Sequence, residues 1–189
     1  MIKIYLSSTN INTLDWNVLQ TLVFILSRFE VLLRLMEIKI YEITEQKGDI
    51  CNRLLRSLPE WFGIEKAIQD YVCDVENMST FVAEIKGAII GFISLNKHNK
   101  FTAEIHVMAV DKKFHGKGVG KKLISEAEKY LRDQNFNYLT VKTLSPSHPN
   151  REYDLTRKFY EAVGFKPLEE FKTLWDKSNP CLFMLKVLN

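Results

Sequence analysis

Three glycines at alternate positions give this sequence its clearest candidate for a chemical site. Gly116, Gly118 and Gly120 fall between an alternating apolar segment and a segment with helical apolar spacing. Because glycine has no side chain, such a turn brings backbone N–H groups close to a phosphate at the positive end of a helix dipole. The spacing therefore predicts a phosphate-binding turn where a strand enters a helix.

Two common phosphate-binding motifs are excluded by the same spacing. A Walker A loop has four residues between its glycines, then Lys, then Ser or Thr. Here the interval from Gly116 to Gly120 is one residue too short, and Lys122 takes the position of the hydroxyl. A dinucleotide-binding fingerprint needs a third glycine where this chain has Lys121, and it needs a βαβ unit. Another kind of phosphate ligand is indicated.

The elements that must position this turn follow from apolar periodicity. The pattern predicts the order β-α-α-β-β-β-α-β-α-β-β, an α/β fold with a mixed sheet covered by helices. Lys86-Gly87 is typical of a tight hairpin turn, and the strand that leads into the glycine turn runs from Phe101 to Val110. No repeat or linker interrupts the pattern, so we expect one main domain.

Composition limits the class of protein. A chain of 189 residues, 46% hydrophobic and 26% charged, is typical of a globular domain with a full core. The net charge of +3 does not indicate nucleic-acid binding, because five lysines between Lys112 and Lys122 are confined to the glycine turn. Cys51, Cys73 and Cys181 are too far apart for a disulfide framework or a zinc site, so we expect buried thiols, no metal and a cytoplasmic location.

The first 36 residues are an apolar extension that precedes the main domain, residues 37–189. The uncharged run from Val18 to Ser27 is about half of the roughly 20 residues that a membrane span needs. No secretory signal pattern is present, so no membrane association is expected. The extension either forms a helix that packs on the domain or on a partner, or lies upstream of a natural start at Met36.

The turn and a later segment together carry a family resemblance. The turn resembles motif A of the GNAT (Gcn5-related N-acetyltransferase) superfamily, in which a strand is followed by [Q/R]-x-x-G-x-[G/A] and then by a helix. In this chain His115 takes the position where Gln or Arg is usual. The segment 159–165, FYEAVGF, resembles the "FYExxGF" signature of the same superfamily, and the hairpin 81–92 resembles its central hairpin. The resemblance covers roughly residues 37 to 187. It implies a GNAT-like acyl-CoA N-acyltransferase fold and an acetyl-CoA-dependent N-acetyltransferase domain in residues 37–189.

The resemblance also implies where acetyl-CoA binds. The pyrophosphate is expected to bind the backbone of the turn, and the pantetheine arm is expected to lie along the preceding strand. Many members make one further contact to acetyl-CoA through an Asn. In this chain Tyr153 takes the position of that Asn, and Asn150 lies nearby. Lysines beside the turn are candidates for the 3′-phosphate, with a purely solvated role as the alternative. The implied cofactor-binding residues are Met108, Ala109, Val110, His115, Gly116, Lys117, Gly118, Val119, Gly120, Lys121 and Asn150.

Three titratable residues are candidates for catalysis. Tyr160 occupies the tyrosine position of the signature, where the resemblance implies a general acid; the alternative is a packed aromatic. We expect Leu155, Phe159, Ala162 and Val163 to form the inward face of that helix instead. Glu104 falls where histone-type members carry a glutamate base, with His106 as the second candidate. Strand alternation is expected to place Glu104, His106 and Met108 on one face, which meets either the cleft or solvent.

The acceptor is the least determined part of the prediction. The aromatic residues Trp61, Phe62 and Trp175 are candidates to line its pocket, since aromatic faces suit cationic groups; the alternative is that they close a core. A small-molecule primary amine is expected as substrate. A protein N-acetyltransferase, and an acetyl-CoA-binding sensor or interaction module without turnover, are alternatives. A homodimer is left open.

Overall fold

The computed structural model describes residues 20–21, 23–25 and 37–188, and it divides the chain into two compact units, Met1–Glu37 and Ile38–Asn189. Residues 20–21 and 23–25 are helical; the rest of the expected extension, up to residue 36, lies outside the described residues. Within the described ranges, no helix has the length and apolar character needed to cross a membrane.

Seven strands form one mixed sheet in the second unit. Its order is β1-β2-β3-β4-β5-β7-β6, in which β4 and β5 are parallel and every other neighbouring pair is antiparallel. The strands are β1 Lys39–Ile43, β2 Ser79–Ile85, β3 Ala88–Lys97, β4 Thr102–Val110, β5 Tyr138–Leu144, β6 Lys166–Asp176 and β7 Asn179–Val187.

Four helices cover the sheet. They are α1 Lys47–Arg56, α2 Glu65–Asp74, α3 Val119–Asp133 and α4 Arg151–Ala162. Short 3-10 turns, Val75–Asn77 and Lys112–Phe114, follow α2 and β4. The predicted order of strands and helices and the predicted mixed α/β fold are confirmed. At the hairpin, Lys86 and Gly87 both adopt positive φ, as a tight two-residue connection between twisted strands requires.

The core lies on both faces of the sheet. One cluster packs α3 and α4 against the sheet and includes Ile105, Leu123 and Tyr160. The other packs α1 and α2 against the opposite face and includes Leu54 and Val107. Neighbouring residues of β4 therefore contribute to different clusters, so this strand is covered by helices on both sides.

The inward face of α4 differs from the prediction. Leu155 is 58% exposed and Ala162 is exposed, whereas Arg157 and Tyr160 are buried; only Phe159 and Val163 of the predicted face pack against the core. The guanidinium of Arg157 donates a 2.6 Å hydrogen bond to the carbonyl of Leu144, the last residue of β5. This bond satisfies the carbonyl group at the end of β5. It also holds the side of α4 that carries Arg157 and Tyr160 toward the sheet.

The expectation of three buried thiols is wrong for one of them. Cys51 and Cys181 are buried, but Cys73 is exposed because it lies on the outer side of α2, away from the buried Ile68. Burial raises the pKa of Cys51 to about 12 and that of Cys181 to about 11. Both buried thiols are therefore protonated at neutral pH.

The parallel pair β4–β5 is short, and the two strands then separate. Their register runs only from Thr102 opposite Tyr138 to Ile105 opposite Val141. Strand β4 continues to Val110 and β5 to Leu144. Beyond Ile105, the side of β4 that faces β5 has no strand partner among residues 37–188, and this unpaired edge leads directly toward the glycine turn.

Candidate active site

Two of the three glycines give the turn its shape. Gly116 and Gly118 have φ values of 70° and 81°, in the left-handed region that favours glycine, and Gly118 is the residue that precedes the first turn of α3. A Cβ atom at either position would have no heavy atom within 4 Å, so both face open space. Gly120 has a different role, because a Cβ atom there would lie 3.0 Å from Cζ of Phe159; this glycine lets α4 approach α3.

The turn presents a group of free backbone donors. The amide of Lys117 donates to Phe114 and that of Lys122 to Gly118. Such unsatisfied amides at a helix start, together with the helix dipole, form a site for an anion. Within residues 37–188, no acceptor is hydrogen-bonded to the N–H groups of Gly116, Gly118, Val119, Gly120 and Lys121.

The side chain of His115 points away from the open side of the turn. Its Nε2–H donates a 2.7 Å hydrogen bond to the carbonyl of Val110, at the end of β4. Its ring also makes an edge contact with Trp61, with 5.5 Å between the centroids. The histidine that replaces the usual Gln or Arg therefore braces the turn against β4 and leaves backbone N–H groups as the donors on the open side of the turn.

The lysines near the turn are not equivalent. Lys112 forms an ion pair with Glu60, which holds the pKa of that carboxyl below its usual range. The ammonium of Lys117 lies 5.4 Å from the centroid of Phe114. Lys121 and Lys122, on the first turn of α3, are exposed and make no side-chain hydrogen bond or ion pair within the described ranges. Lys113 is likewise exposed and without a side-chain partner there, so Lys113, Lys121 and Lys122 are the free cations of this cluster.

The backbone direction along β4 shows which of its amides face the unpaired edge. The N–H of Asp111 donates to the carbonyl of Ile90 on the β3 side at 2.8 Å. Because the direction of hydrogen bonding alternates along an antiparallel ladder, Ala109 also points its N–H toward β3, whereas Met108 and Val110 point theirs toward the gap beside β5. The bond from His115 to the Val110 carbonyl agrees with this direction.

A β-bulge changes the face of β4 on which the candidate residues lie. Ser94 is opposite Val107 while the next residue, Leu95, is opposite Ile105, so His106 is an extra residue in the strand. Glu104 and His106 share one face of β4, as predicted, and that face is the α2 side. Met108 packs against the cluster of α3 on the other side, so the prediction that it shares their face is wrong.

Glu104 is a buried carboxylate held by two donors on one oxygen. Its Oε2 atom lies 2.7 Å from Nε2 of His98 and also accepts from the ammonium of Lys142 on β5. Oε1 has no hydrogen-bond partner in the part of the chain that the structure describes, and it keeps contact with solvent. One oxygen is thus fixed in place while the other is free to accept a proton.

His106 lies in a polar and aromatic surrounding beneath α2. Its Nε2 atom is 3.1 Å from Oδ2 of Asp74, although the geometry is not that of a hydrogen bond, and its ring makes an edge contact with Tyr71 at 5.3 Å. Burial lowers the pKa of His106 below its ordinary value, against opposing effects of Asp74 and Glu104. The imidazole is therefore neutral at physiological pH.

Tyr160 is enclosed by aromatic rings. Phe159 and Phe165 lie with their ring centroids 5.4 Å from that of Tyr160. Burial raises the pKa of Tyr160 well above its usual range, and Tyr153 and Tyr71 add to the effect. Its hydroxyl makes no hydrogen bond among residues 37–188, and it keeps its proton at any physiological pH. Both sequence interpretations, an acid and a packed aromatic, agree with this position.

Of the three aromatic candidates for the acceptor pocket, two lie together. Trp61 donates from Nε1 to Thr156 on α4 at 3.0 Å, and its carbonyl accepts from the Tyr153 hydroxyl at 2.8 Å. Phe62 contacts the ring of Tyr71, which in turn contacts His106. Trp175 lies near the end of β6, 46% exposed, and has no ring contact with either residue within the described ranges.

Asn150 acts as the cap of α4. Its Oδ1 accepts the backbone N–H of Tyr153 at 3.0 Å, which satisfies one of the free donors at the helix start. Tyr153, in the register where many family members carry Asn, uses its hydroxyl to hold the Trp61 segment.

Sequence reasoning missed Lys142 and His98, the two partners of Glu104. The signal for Lys142 was a single charge in the otherwise uncharged strand segment 138–144. No pattern in the sequence pairs it with Glu104, because parallel neighbours are set by the fold. No group of three or more His, Cys, Asp and Glu side chains suited to a metal ion lies within residues 37–188 or the described part of the first unit.

Removing Lys142 tests the buried ion pair. We expect Lys142→Met to lower the free energy of unfolding by about 3 kcal/mol, because a buried carboxylate then loses its cation. The measurement is urea unfolding followed by tryptophan fluorescence and circular dichroism. The Lys142→Met/Glu104→Gln double variant is the control and is expected to lose clearly less than the sum of the two single changes; strictly additive losses would show that the pair is uncoupled.

Known proteins share sequence and fold with this chain. The family model described as "Acetyltransferase (GNAT) family" matches residues 48–165, which are 118 of the 189 residues. An uncharacterised N-acetyltransferase from Chlorobaculum tepidum is 31% identical over 90 residues, 48% of this chain and 51% of that protein. The match thus spans about half the length of this curated relative.

Solved structures share the fold. A protein of the GNAT family from Desulfovibrio desulfuricans superposes with a TM-score of 0.69 at 17% identity, covering 81% of this chain and 100% of the other. A GNAT family acetyltransferase from Elizabethkingia anophelis with acetyl-CoA bound gives 0.61 at 19% identity, covering 80% and 98%. Since the family model spans well over half of the sequence, this chain belongs to the GNAT acetyltransferase family.

Proposed function

We propose that this protein transfers an acetyl group from acetyl-CoA to a primary amine of a small molecule. One observation carries the proposal: the unpaired edge of β4 runs directly into a turn of free backbone amides. A strand edge can pair with an extended amide-containing chain, and a helix start can bind phosphate. Acetyl-CoA joins these two chemical features in one molecule.

The residues present suit three parts of acetyl-CoA. The free amides of Gly116 and of Gly118 to Lys121 would hold the pyrophosphate, and the open space in front of Gly116 and Gly118 leaves room for it. The Met108 and Val110 backbone would pair with the pantetheine arm. Lys121 and Lys122, both exposed, would be available to the 3′-phosphate. A family member of the same fold has been solved with acetyl-CoA bound.

Glu104 is our proposed base. Acetyl-CoA supplies the acetyl group as a thioester, and the amine nitrogen bonds to the acetyl carbon as the carbon–sulfur bond breaks. The proton lost by the amine goes to Oε1 of Glu104, directly or through a water molecule, because Oε2 is already engaged by His98 and Lys142. The Val110 or Met108 amide would stabilise the charge that develops on the carbonyl oxygen.

Tyr160 is our proposed acid. Burial raises its pKa, so the phenol is protonated at neutral pH, and its hydroxyl would give that proton to the departing thiolate. His106 is the alternative base, since it is neutral and faces the same side as Glu104.

The acceptor class follows from the side chains near the candidate base. Trp61 and Phe62 provide aromatic surface on the α2 side, and Asp74 and Glu104 provide negative charge there. Aromatic faces and carboxylates both attract cationic amines. A small primary amine therefore suits this side of the sheet.

Binding of coenzyme A is expected to depend on Gly118. Gly118→Ala places a Cβ on a left-handed residue and displaces the turn's amides, so we expect at least about tenfold weaker binding, equivalent to roughly 1.4 kcal/mol. Isothermal titration calorimetry with coenzyme A measures the change. Gly87→Ala is a matched control, because Gly87 has φ +79° and equally open surroundings but lies in the β2–β3 hairpin. Equal losses in both variants would contradict an anion site at the turn.

Activity is expected to depend on Glu104. We expect Glu104→Gln to lower kcat/KM about 100-fold, the range typical of a lost general base, with thiol release measured across pH 5–9. Glu42→Gln, an exposed carboxylate on β1, is the control and is expected to keep full activity. If His106 were the base, kcat/KM would fall with decreasing pH only below about pH 6.5, because burial lowers the pKa of His106. The assignment of Glu104 as the base would be contradicted if this fall in kcat/KM were still present in Glu104→Gln and absent in His106→Gln.

A further inference from the structure

Strand β7 carries apolar side chains on both faces of the sheet. Leu182 and Met184 are buried in the cluster that packs α3 and α4 against the sheet. The alternate residues are much less covered: Phe183 and Leu185 are only partly buried, and Val187 is 54% exposed. A strand with one face open to solvent normally carries polar side chains on that face. The second face of β7 is therefore an exposed apolar surface of the kind that binds a ligand or a partner.

The register of the sheet places this second face on the α2 side. Phe183 is opposite Lys142 of β5, and the side chain of Lys142 forms an ion pair with Glu104, which lies on the α2 side of β4. Because side chains alternate along a strand, Leu185 and Val187 share the face of Phe183. We call these three residues of β7 the apolar strip.

The helices of the α2 side pack over a different part of the sheet. Among residues 37–188, the cluster that packs α1 and α2 takes its strand residues only from β1 to β4. Phe171 of β6 lies beside the apolar strip, with its ring centroid 6.2 Å from that of Phe183, and neither ring belongs to either core cluster. The apolar strip is thus an open surface beside the helices and not a part of the core.

The apolar strip begins at the ion pair that holds the proposed base. The ammonium of Lys142 lies 5.8 Å from the ring centroid of Phe183 and donates to Oε2 of Glu104. An amine whose nitrogen meets the free Oε1 atom of Glu104 therefore lies at one end of the strip. The carbon chain of such an amine would extend over Phe183 and Leu185. Each methylene group that leaves water there would strengthen binding about fourfold.

We infer that the apolar strip binds the carbon chain of the acceptor, so that the substrate is a primary amine with an apolar chain rather than a diamine. The occupant is an amphipathic amine because the surface is apolar at Phe183 and Leu185 and ends at a carboxylate, which attracts the ammonium group. This inference rests on the proposed function, since it takes Glu104 as one end of the acceptor site.

A series of straight-chain alkylamines tests the inference in the full-length chain. We expect kcat/KM for thiol release from acetyl-CoA to rise about fourfold for each added methylene. Leu185→Asn is expected to reduce this rise to less than about twofold, because the chain then meets a polar side chain. Leu185→Met keeps the apolar surface and is expected to keep the rise. Leu155→Asn is the matched control, since it changes a leucine that is 58% exposed on α4, and it is expected to behave like the wild type.

Calorimetry separates failure of this inference from failure of the acetyl-transfer proposal. The same amines are titrated into the protein saturated with coenzyme A, which needs no turnover, and circular dichroism checks that each variant is folded. Affinity that rises with chain length in the absence of thiol release would contradict acetyl transfer alone.

Four results would overturn the inference itself. The first is that neither affinity nor kcat/KM depends on chain length, and the second is a rise that is unchanged in Leu185→Asn. The third is a preference for a diamine over the alkylamine of equal length. The fourth is a wild-type dimer in sedimentation velocity that Leu185→Asn converts to a monomer, because the apolar strip would then be covered by a second copy of the chain.

Discussion

Beyond Ile105, β4 loses the strand neighbour that the preceding residues of β4 have in β5, and the N–H groups of Met108 and Val110 are left facing a gap. Backbone groups near a protein core need hydrogen-bond partners, so this gap must be filled by water or by a ligand with its own amides. The turn that follows and the helix α3 that it begins extend the same line of unsatisfied donors. The separation of two strands thus determines where we propose that acetyl-CoA binds.

The buried charges are arranged around that separation. Glu104 lies in the last paired stretch of β4, next to Ile105, and Lys142 lies just past Val141, the last paired residue of β5. A carboxylate this deep is tolerated because Lys142 and His98 satisfy one of its oxygens. The same arrangement fixes the side chain and leaves the second oxygen for chemistry. Stability and the proposed base therefore rest on one set of contacts.

The sequence was a good guide where structure depends on neighbouring residues. The order of elements, the Lys86-Gly87 hairpin and the glycine turn were predicted because apolar periodicity and positive-φ glycines are local properties. The face of Met108 was predicted wrongly because the bulge at His106 is set by pairing with β3. The buried side of α4 was predicted wrongly because Arg157 bonds to the end of β5. Lys142 was missed for the same reason: its partner is 38 residues away in the sequence.

We propose that the gap beside β4 is a site of acetyl transfer rather than of binding alone. The most direct measurement is the rate of free thiol release from acetyl-CoA in the presence of a panel of small primary amines and of peptides with free amino termini. The account predicts thiol release that requires both the protein and an amine and that saturates with at least one small amine. Saturable binding of acetyl-CoA without thiol release for any amine would contradict it and would indicate a sensor. Release with peptides alone would contradict the proposed class of acceptor.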